Sequence, residues 1–296
     1  MKKFIISLVM IMTLVLPVAS VKAAQIPLLS SRYDRASVLP EGCQREGFVD
    51  SLFTDKHFLD SIYQSLGYET IFVNGGYSYT TPSSYIRTNL EGITSNDLLR
   101  IKTLSVAYVS NLKRIDCIIN LESYTSAYSS TSNYAYFSQS KKLKSISTAF
   151  SSDQNTNGLL TLNGLESFGI NFSSVSDLSG LKNNLNMKKI NLGFAHVSDI
   201  SVLANFENLT HVELRSTPVS DISSLQDLKH LEEIRIIGTK VLDLSPLVNN
   251  QHIAENTTVY LRKPQYIADI DSETLTKYLE SVEILENRGV TVHLVN

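Results

Sequence analysis

The sequence has no tryptophan, only two cysteines, and no extended basic stripe. Its 26 basic and 29 acidic residues give a formal charge of −3. Nucleic acid and anionic lipid both demand a basic stripe, so neither is an expected partner. No glycine-rich phosphate loop and no G-x-S-x-G segment occurs, and the spacing of Cys43 and Cys117 fits no zinc site. His57, His196, His211, His230, His252 and His293 are scattered without paired metal spacing. The expectation is no enzyme, no cofactor and no metal. Long apolar runs are also missing, apart from one at the start.

That run, Phe4 to Val18, follows Lys2 and Lys3 and is interrupted by Ser7, Thr13 and Pro17. It falls short of the roughly 20 residues a membrane helix needs. Small residues follow, and Val21-Lys22-Ala23 reads as a cleavage site, so residues 1–23 are expected to be a signal peptide. Their removal takes away three lysines and no acids, moving the charge from −3 to −6. The mature protein is expected to be secreted or periplasmic, with no membrane insertion. After export Cys43 and Cys117 can form a disulfide or remain two thiols; both stay open.

What the chain does have is a period. VSDLSGL begins at Val175, VSDISVL at Val197, VSDISSL at Val219 and VLDLSPL at Val241, each 22 residues after the last. Met187, Leu209 and Leu231 keep the same step, as do Ile190, Val212 and Ile234. Counting backward, Leu165, Phe168 and Ile170 fall in register, then Leu143, Ile146 and Thr148, then Leu121, Tyr124 and Ser126. The Ser- and Tyr-rich run from Ser123 to Ser140 therefore reads as degenerate repeats, and a weaker unit covers Leu99 and Leu104. The unit L-x-x-L-x-L-x-x-T-x-V-x-D-I-x-x-L is the leucine-rich-repeat pattern. Its first half makes a short strand with alternate residues inward, and its second half turns back through a tight, partly 3₁₀ arc. One unit cannot bury its own leucines, but stacked units share a continuous core.

The expected fold is an α/β solenoid. It is a curved leucine-rich-repeat stack of short parallel strands, with a 3₁₀ or irregular convex side and helical caps at both ends. An N-terminal extension (24–47) leads to a helical N-terminal cap (48–98), repeats with the 22-residue period (99–262) and a C-terminal cap of helix plus strand (263–296). In the first cap Thr54 can cap a helix from Phe53 to Gly67, with Phe53 and Phe58 as a hydrophobic staple. In the second, Leu275, Tyr278, Leu279 and Val282 share one helical face, and Val290, Val292 and Leu294 alternate as a closing strand.

From about Phe48 onward the chain resembles the internalin-type leucine-rich-repeat proteins of bacteria. The resemblance rests on the VSDIS-x-L units, the segment FTDKHFLDSIYQSLG, LEGIT entering the array, and LENRGVTVHL at its end. It implies a fold and a binding habit, not a host receptor or surface attachment. Internalins usually carry Asn where this chain has Ser129, Ser151, Ser173, Ala195, Thr217 and Thr239. No immunoglobulin-like segment or cell-wall sorting motif follows the repeats in this sequence.

Binding should then fall on the concave face. Tyr128, Phe150, Phe172 and Phe194 form a column at the 22-residue step, continued by Ser216 and Gly238. Either this is an exposed apolar strip for a partner, or it tucks under adjoining loops as a secondary core. Beside it the outward positions change from Ser123, Thr125, Ser145, Ser147 and Ser167 to charged side chains. The charged positions include Lys188, Lys189, His211, Glu213, Arg215, Glu232, Glu233 and Arg235. Lys189, His211, Glu213, Arg215 and Arg235 are the candidate partner contacts, against the plainer reading of a solvated face. A further column, Asp177, Asp199, Asp221 and Asp243 with Asn111, Asn133 and Asn155, is expected to bond its own turns rather than Ca²⁺. A protein is the expected partner. A glycan stacked on the aromatics and a purely structural envelope role are the alternatives.

Overall fold

The structure, a computed structural model, describes residues 43, 52–66, 70–71, 81–82, 93–129, 134–152, 155–267 and 270–295. The expected signal peptide lies outside them, as do Gly67, Asn133 and all of the expected extension except Cys43.

Alternating apolar residues every 22 positions build one parallel sheet. Its nine strands are β3 (Thr103–Ala107), β4 (Ser123–Ala127), β5 (Ser145–Ala149), β6 (Ser167–Asn171), β7 (Lys189–Asn191), β8 (His211–Glu213), β9 (Glu233–Arg235), β10 (Thr258–Arg262) and β11 (Thr291–Val295), neighbours in chain order. A separate antiparallel pair joins β1 (Thr70–Ile71) to β2 (Thr81–Pro82). Ser123, Ser145, Ser167, Lys189, His211 and Glu233 stand opposite one another in sequence. That register places Leu165, Met187, Leu209 and Leu231 one above another, and all four are buried. Each such side chain contributes roughly 1.5–3 kcal/mol by leaving water. The early units fill the same core with aromatics: Tyr124 packs on Phe137 with centroids 4.7 Å apart, and Tyr134 on Phe168 at 5.9 Å. This is a leucine-rich-repeat solenoid.

The 22-residue step fails at both ends. Thr103 stands opposite Ser123, Glu233 opposite Thr258, and Thr258 opposite Thr291, giving steps of 20, 25 and 33. Ile101, which is buried, therefore stands in the column of Leu121, a place the constant step gave to Leu99; Leu99 packs at the margin of the core.

On the turn side, 3₁₀ turns at Ile115–Cys117, Tyr134–Phe137, Asn157–Leu159, Ser179–Leu181, Ser201–Asn205 and Ser223–Leu225 lead to a short helix, α3 (Ser245–Asn249). The acid column starts these turns. Asp177, Asp199, Asp221 and Asp243 each accept the backbone N–H two residues on, at 2.8, 2.8, 2.7 and 2.8 Å. Asn111 and Asn155 do the same at 3.2 and 3.1 Å. Bonds from the Ser201 and Ser223 backbone and hydroxyl groups hold Asp199 and Asp221 below the ordinary carboxylate range.

At the N-terminal end, α1 (Lys56–Ser65) packs against β3. Its N-cap is Asp55, not Thr54 as the sequence pattern implied. The reason is that Asp55 bonds two elements at once. One oxygen accepts from Phe58 N at 3.1 Å, and the other accepts from Ser110 N, Ser110 Oγ and Asn111 N at 2.7, 2.6 and 3.4 Å. The Phe53 and Phe58 rings still meet edge to face at 5.5 Å. A second short helix, α2 (Ser95–Leu98), carries a capping box of Thr94 and Asp97. Burial alone would raise the Asp55 carboxyl, but the bonds from Ser110, Phe58 and Asn111 outweigh it and hold it below the usual value. Asp55→Ala is expected to cost about 2–4 kcal/mol, the sum of a lost cap and lost charge-assisted bonds. A depressed folded-state value means this stabilisation is present above the unfolded carboxylate pKa of about 3.9 and fades as pH falls through the folded value. Urea unfolding should thus show the gap between wild type and variant shrinking below about pH 4.

At the other end, α4 (Ser272–Asn287) packs on α3 and β11, capped by Asp271 through Thr274 N at 2.9 Å. Its buried face is Tyr278, Val282 and Leu285, with Leu275 half-buried; Leu279 points to solvent. The sequence pattern put Leu279 on that face in place of Leu285. Val290 is buried, Val292 packs at the edge of the core, and Leu294 is exposed. Burial in α4 pushes the Tyr278 hydroxyl up to about 12, while it donates to the Arg262 carbonyl at 3.1 Å. Cys43 and Cys117 are joined as a disulfide, tying the segment before α1 to the first 3₁₀ turn.

Candidate interaction surface

Each strand from β3 to β9 hands over to its turn through one residue in the left-handed region. These residues are Tyr108, Tyr128, Phe150, Phe172, Phe194 and Ser216, with φ between 51° and 59°, and Gly238 at 72°. Bulky L-residues avoid this region at a cost of roughly 1–2 kcal/mol. Two sets of bonds impose it here. The backbone N–H of the column residue still reaches the next unit: Tyr128 to Ala149, Phe150 to Asn171, Phe172 to Gly193 and Phe194 to Arg215, at 2.8–3.1 Å. The residue after it turns inward, where Ser129 Oγ accepts from Val109 N at 3.2 Å and Thr217 Oγ1 donates to Leu214 O at 2.7 Å. The inversion throws each Cβ outward.

The aromatic rings in this column are therefore in solvent. Tyr108, Tyr128, Phe150, Phe172 and Phe194 are 55, 52, 44, 47 and 40% exposed, so the secondary-core reading does not describe them. They form a ladder with consecutive centroid distances of 5.4, 4.5, 4.7 and 4.4 Å and planes within 9° of parallel. Ring faces cover one another, and the solvent meets ring edges. Tyr108 was not found from the 22-residue step because the chain reaches Val109 two residues early; the step pointed to Val106, which is buried.

The outward strand positions divide along the stack. In β4, β5 and β6 they are Ser, Thr, Ala, Gly and Asn. In β7 to β9 they are polar or charged, Asn191 being the uncharged one if His211 is counted with the ions. The structure brings Lys189, His211, Glu213 and Arg235 into two columns, with Arg215 just beyond β8. Lys189, His211 and Glu233 share one; Glu213 and Arg235 share the next with Tyr260 and His293. Arg235 pairs with Glu233 and, at 3.8 Å, with Glu213, which also lies 3.8 Å from Arg215. The Glu233 bond raises the already high pKa of the Arg235 guanidinium. That guanidinium sits 4.0 Å over the Tyr260 ring, which stacks on His293 at 4.8 Å. Tyr260 and His293 escaped the sequence reading because the longer last steps carry them off the 22-residue register. The last ladder rung meets this cluster, since Phe194 N bonds Arg215 O at 2.8 Å. Before the strands runs a row of exposed ions, in which Glu166 lies between Lys188 at 2.8 Å and Lys144 at 3.3 Å. Hydrogen bonds from those two lysines hold Glu166 below its ordinary pKa.

No family model matches the sequence, and no curated protein matches it. Solved structures do. The chain is similar to internalin C2 of Listeria monocytogenes, with 17% identity and a TM-score of 0.62 over 85% of this chain and 99% of that one. Another internalin of Listeria monocytogenes gives 21% and 0.63 over 84% and 66%. A leucine-rich-repeat protein of Leptospira interrogans gives 13% and 0.51 over 68% and 56%. The fold is that of the internalin-like leucine-rich-repeat proteins.

Proposed function

We propose that this chain is an exported, non-catalytic binding protein that recognises a protein partner through the strand side of the solenoid, with Tyr128, Phe150, Phe172 and Phe194 as anchors. The observation that carries the reading is the ladder, a contiguous apolar strip left in solvent. Such strips mark contact sites, and aromatics dominate binding energy once a partner covers them. The turn does not need the rings, because Ser216 and Gly238 adopt the same backbone without one. Lys189, His211, Glu213, Arg215 and Arg235 form the polar neighbour that sets orientation through complementary charge. A glycan would stack on ring faces, and here the faces between rungs are covered by one another; the outward edges carry the positive end of the ring quadrupole and suit carbonyls and apolar side chains. Export is supported by the Cys43–Cys117 disulfide, which persists in oxidising compartments. Among the described residues no helix is long and apolar enough to cross a membrane.

The test is capture from culture medium or host extract with wild type and a Phe172→Ser/Phe194→Ser variant. Capture should be lost. The variant gives up two stacked pairs, each about 0.5–1.5 kcal/mol, so its Tm should fall by only a few degrees. Collapse of the fold, or capture unchanged, defeats the reading. A glycan array separates sugar from protein ligands.

A further inference from the structure

The ladder has a period as well as a composition, and a partner must match both. Its rungs repeat at 4.4–5.4 Å, close to the roughly 4.7–4.9 Å between neighbouring strands. An extended peptide presents same-face side chains about 6.6 Å apart, and a helix presents one turn per about 5.4 Å. Both drift out of step along five rungs. A second stack of parallel strands does not.

The surface next to the ladder fits the same occupant. Immediately beside the ridge, one residue earlier in each unit, runs a row of short side chains, Ala107, Ala127, Ala149, Asn171 and Gly193. Its three alanines lie low beside the rings as a furrow, which closes where the Asn171 side chain lies over Gly193. Neither ridge nor furrow carries a charge over these five units, so two copies meet there without like-charge repulsion. A ridge lying parallel to a furrow is self-complementary under a two-fold axis that runs along the ladder. Such an axis keeps facing units in register. The Phe150 ring then seats over the partner's Ala149 and the Phe172 ring over the partner's Asn171, and each contact occurs twice.

We infer that the aromatic ladder is the seam of a homodimer, in which the ridge of each copy fills the furrow of the other. This rests on the reading of the ladder as a protein-contact surface and names the protein as a second copy of this chain.

Sedimentation of the full chain across the micromolar range tests it. Wild type should sediment at twice the chain mass. Phe150→Ser/Phe172→Ser removes the ridge, and Ala149→Arg fills the furrow with the rings intact; each should shift the protein to the single-chain mass. The furrow variant keeps the test valid if the ridge variant fails to fold. Wild type at the single-chain mass throughout, or a folded furrow variant that still dimerises, overturns the proposal. A monomeric wild type whose ladder variant nevertheless loses capture sinks the homodimer alone. A dimeric wild type whose ladder variant captures normally sinks the capture reading alone.

Discussion

Gly180→Ala is expected to destabilise the solenoid by at least about 3 kcal/mol, beyond the usual range for an added methyl group. Gly180 lies buried in the 3₁₀ turn Ser179–Leu181, where a Cβ would stand 1.8 Å from the Thr156 carbonyl oxygen and 2.2 Å from its carbon. The obstacle is backbone, and that backbone is fixed from both sides. Thr156 N and Oγ1 donate to Asp177 O at 3.2 and 3.1 Å, while Gly180 N donates to Thr156 Oγ1 at 3.0 Å. Separating the turns enough for a methyl group breaks these bonds. A Cβ added at Gly158, one unit earlier, would likewise stand 2.1 Å from Ala135 N. The close approach is local, for Val202 follows Gly180 at the 22-residue step. Chemical unfolding monitored by circular dichroism reads the effect; a loss under about 1 kcal/mol means that the turns do not touch as described.

Removal of the disulfide by Cys43→Ser/Cys117→Ser should cost about 4 kcal/mol, from the conformational freedom returned to a loop with a sequence separation of 74. Both sulfurs are buried, so the serines also place two hydroxyls where water is excluded. In a stack where each unit touches only its neighbours, the loss should concentrate at the first units. Amide exchange should accelerate in β3 and in the turn Ile115–Cys117 while β7 to β9 stay protected. Uniform acceleration across the sheet contradicts a nearest-neighbour stack.

The sequence disclosed the interior better than the rim. Constant 22-residue spacing fixes which residues lie above one another from Ser123 to Glu233, because one slipped position would send a whole column of leucines into water. The spacing cannot report its own lapses. Two residues missing before Val109 hid Tyr108, and longer steps hid Tyr260 and His293, so the candidate surface was read short at both ends. Cap details escaped for another reason. Thr54 and Asp55 are equally good caps locally, and Ser110, fifty-five residues away, decides between them. Likewise Leu285 displaces Leu279 from the buried face of α4 because the partner surface comes from α3 and β11, which periodicity within one helix does not contain. Whether the aromatic column was core or surface depended on the sign of φ at each rung, a property no apolar pattern encodes.

Because Ser216 and Gly238 already hold the same backbone as the aromatic rungs, the length of the strip is set by side-chain identity alone. A single amino-acid replacement can therefore lengthen or trim the aromatic strip by one rung, at the cost of that rung's stacking and of the left-handed backbone a side chain must tolerate there. Under the proposed function, affinity would change with this column at a small cost in stability, and variation among descendants should accumulate here faster than in the leucines behind it.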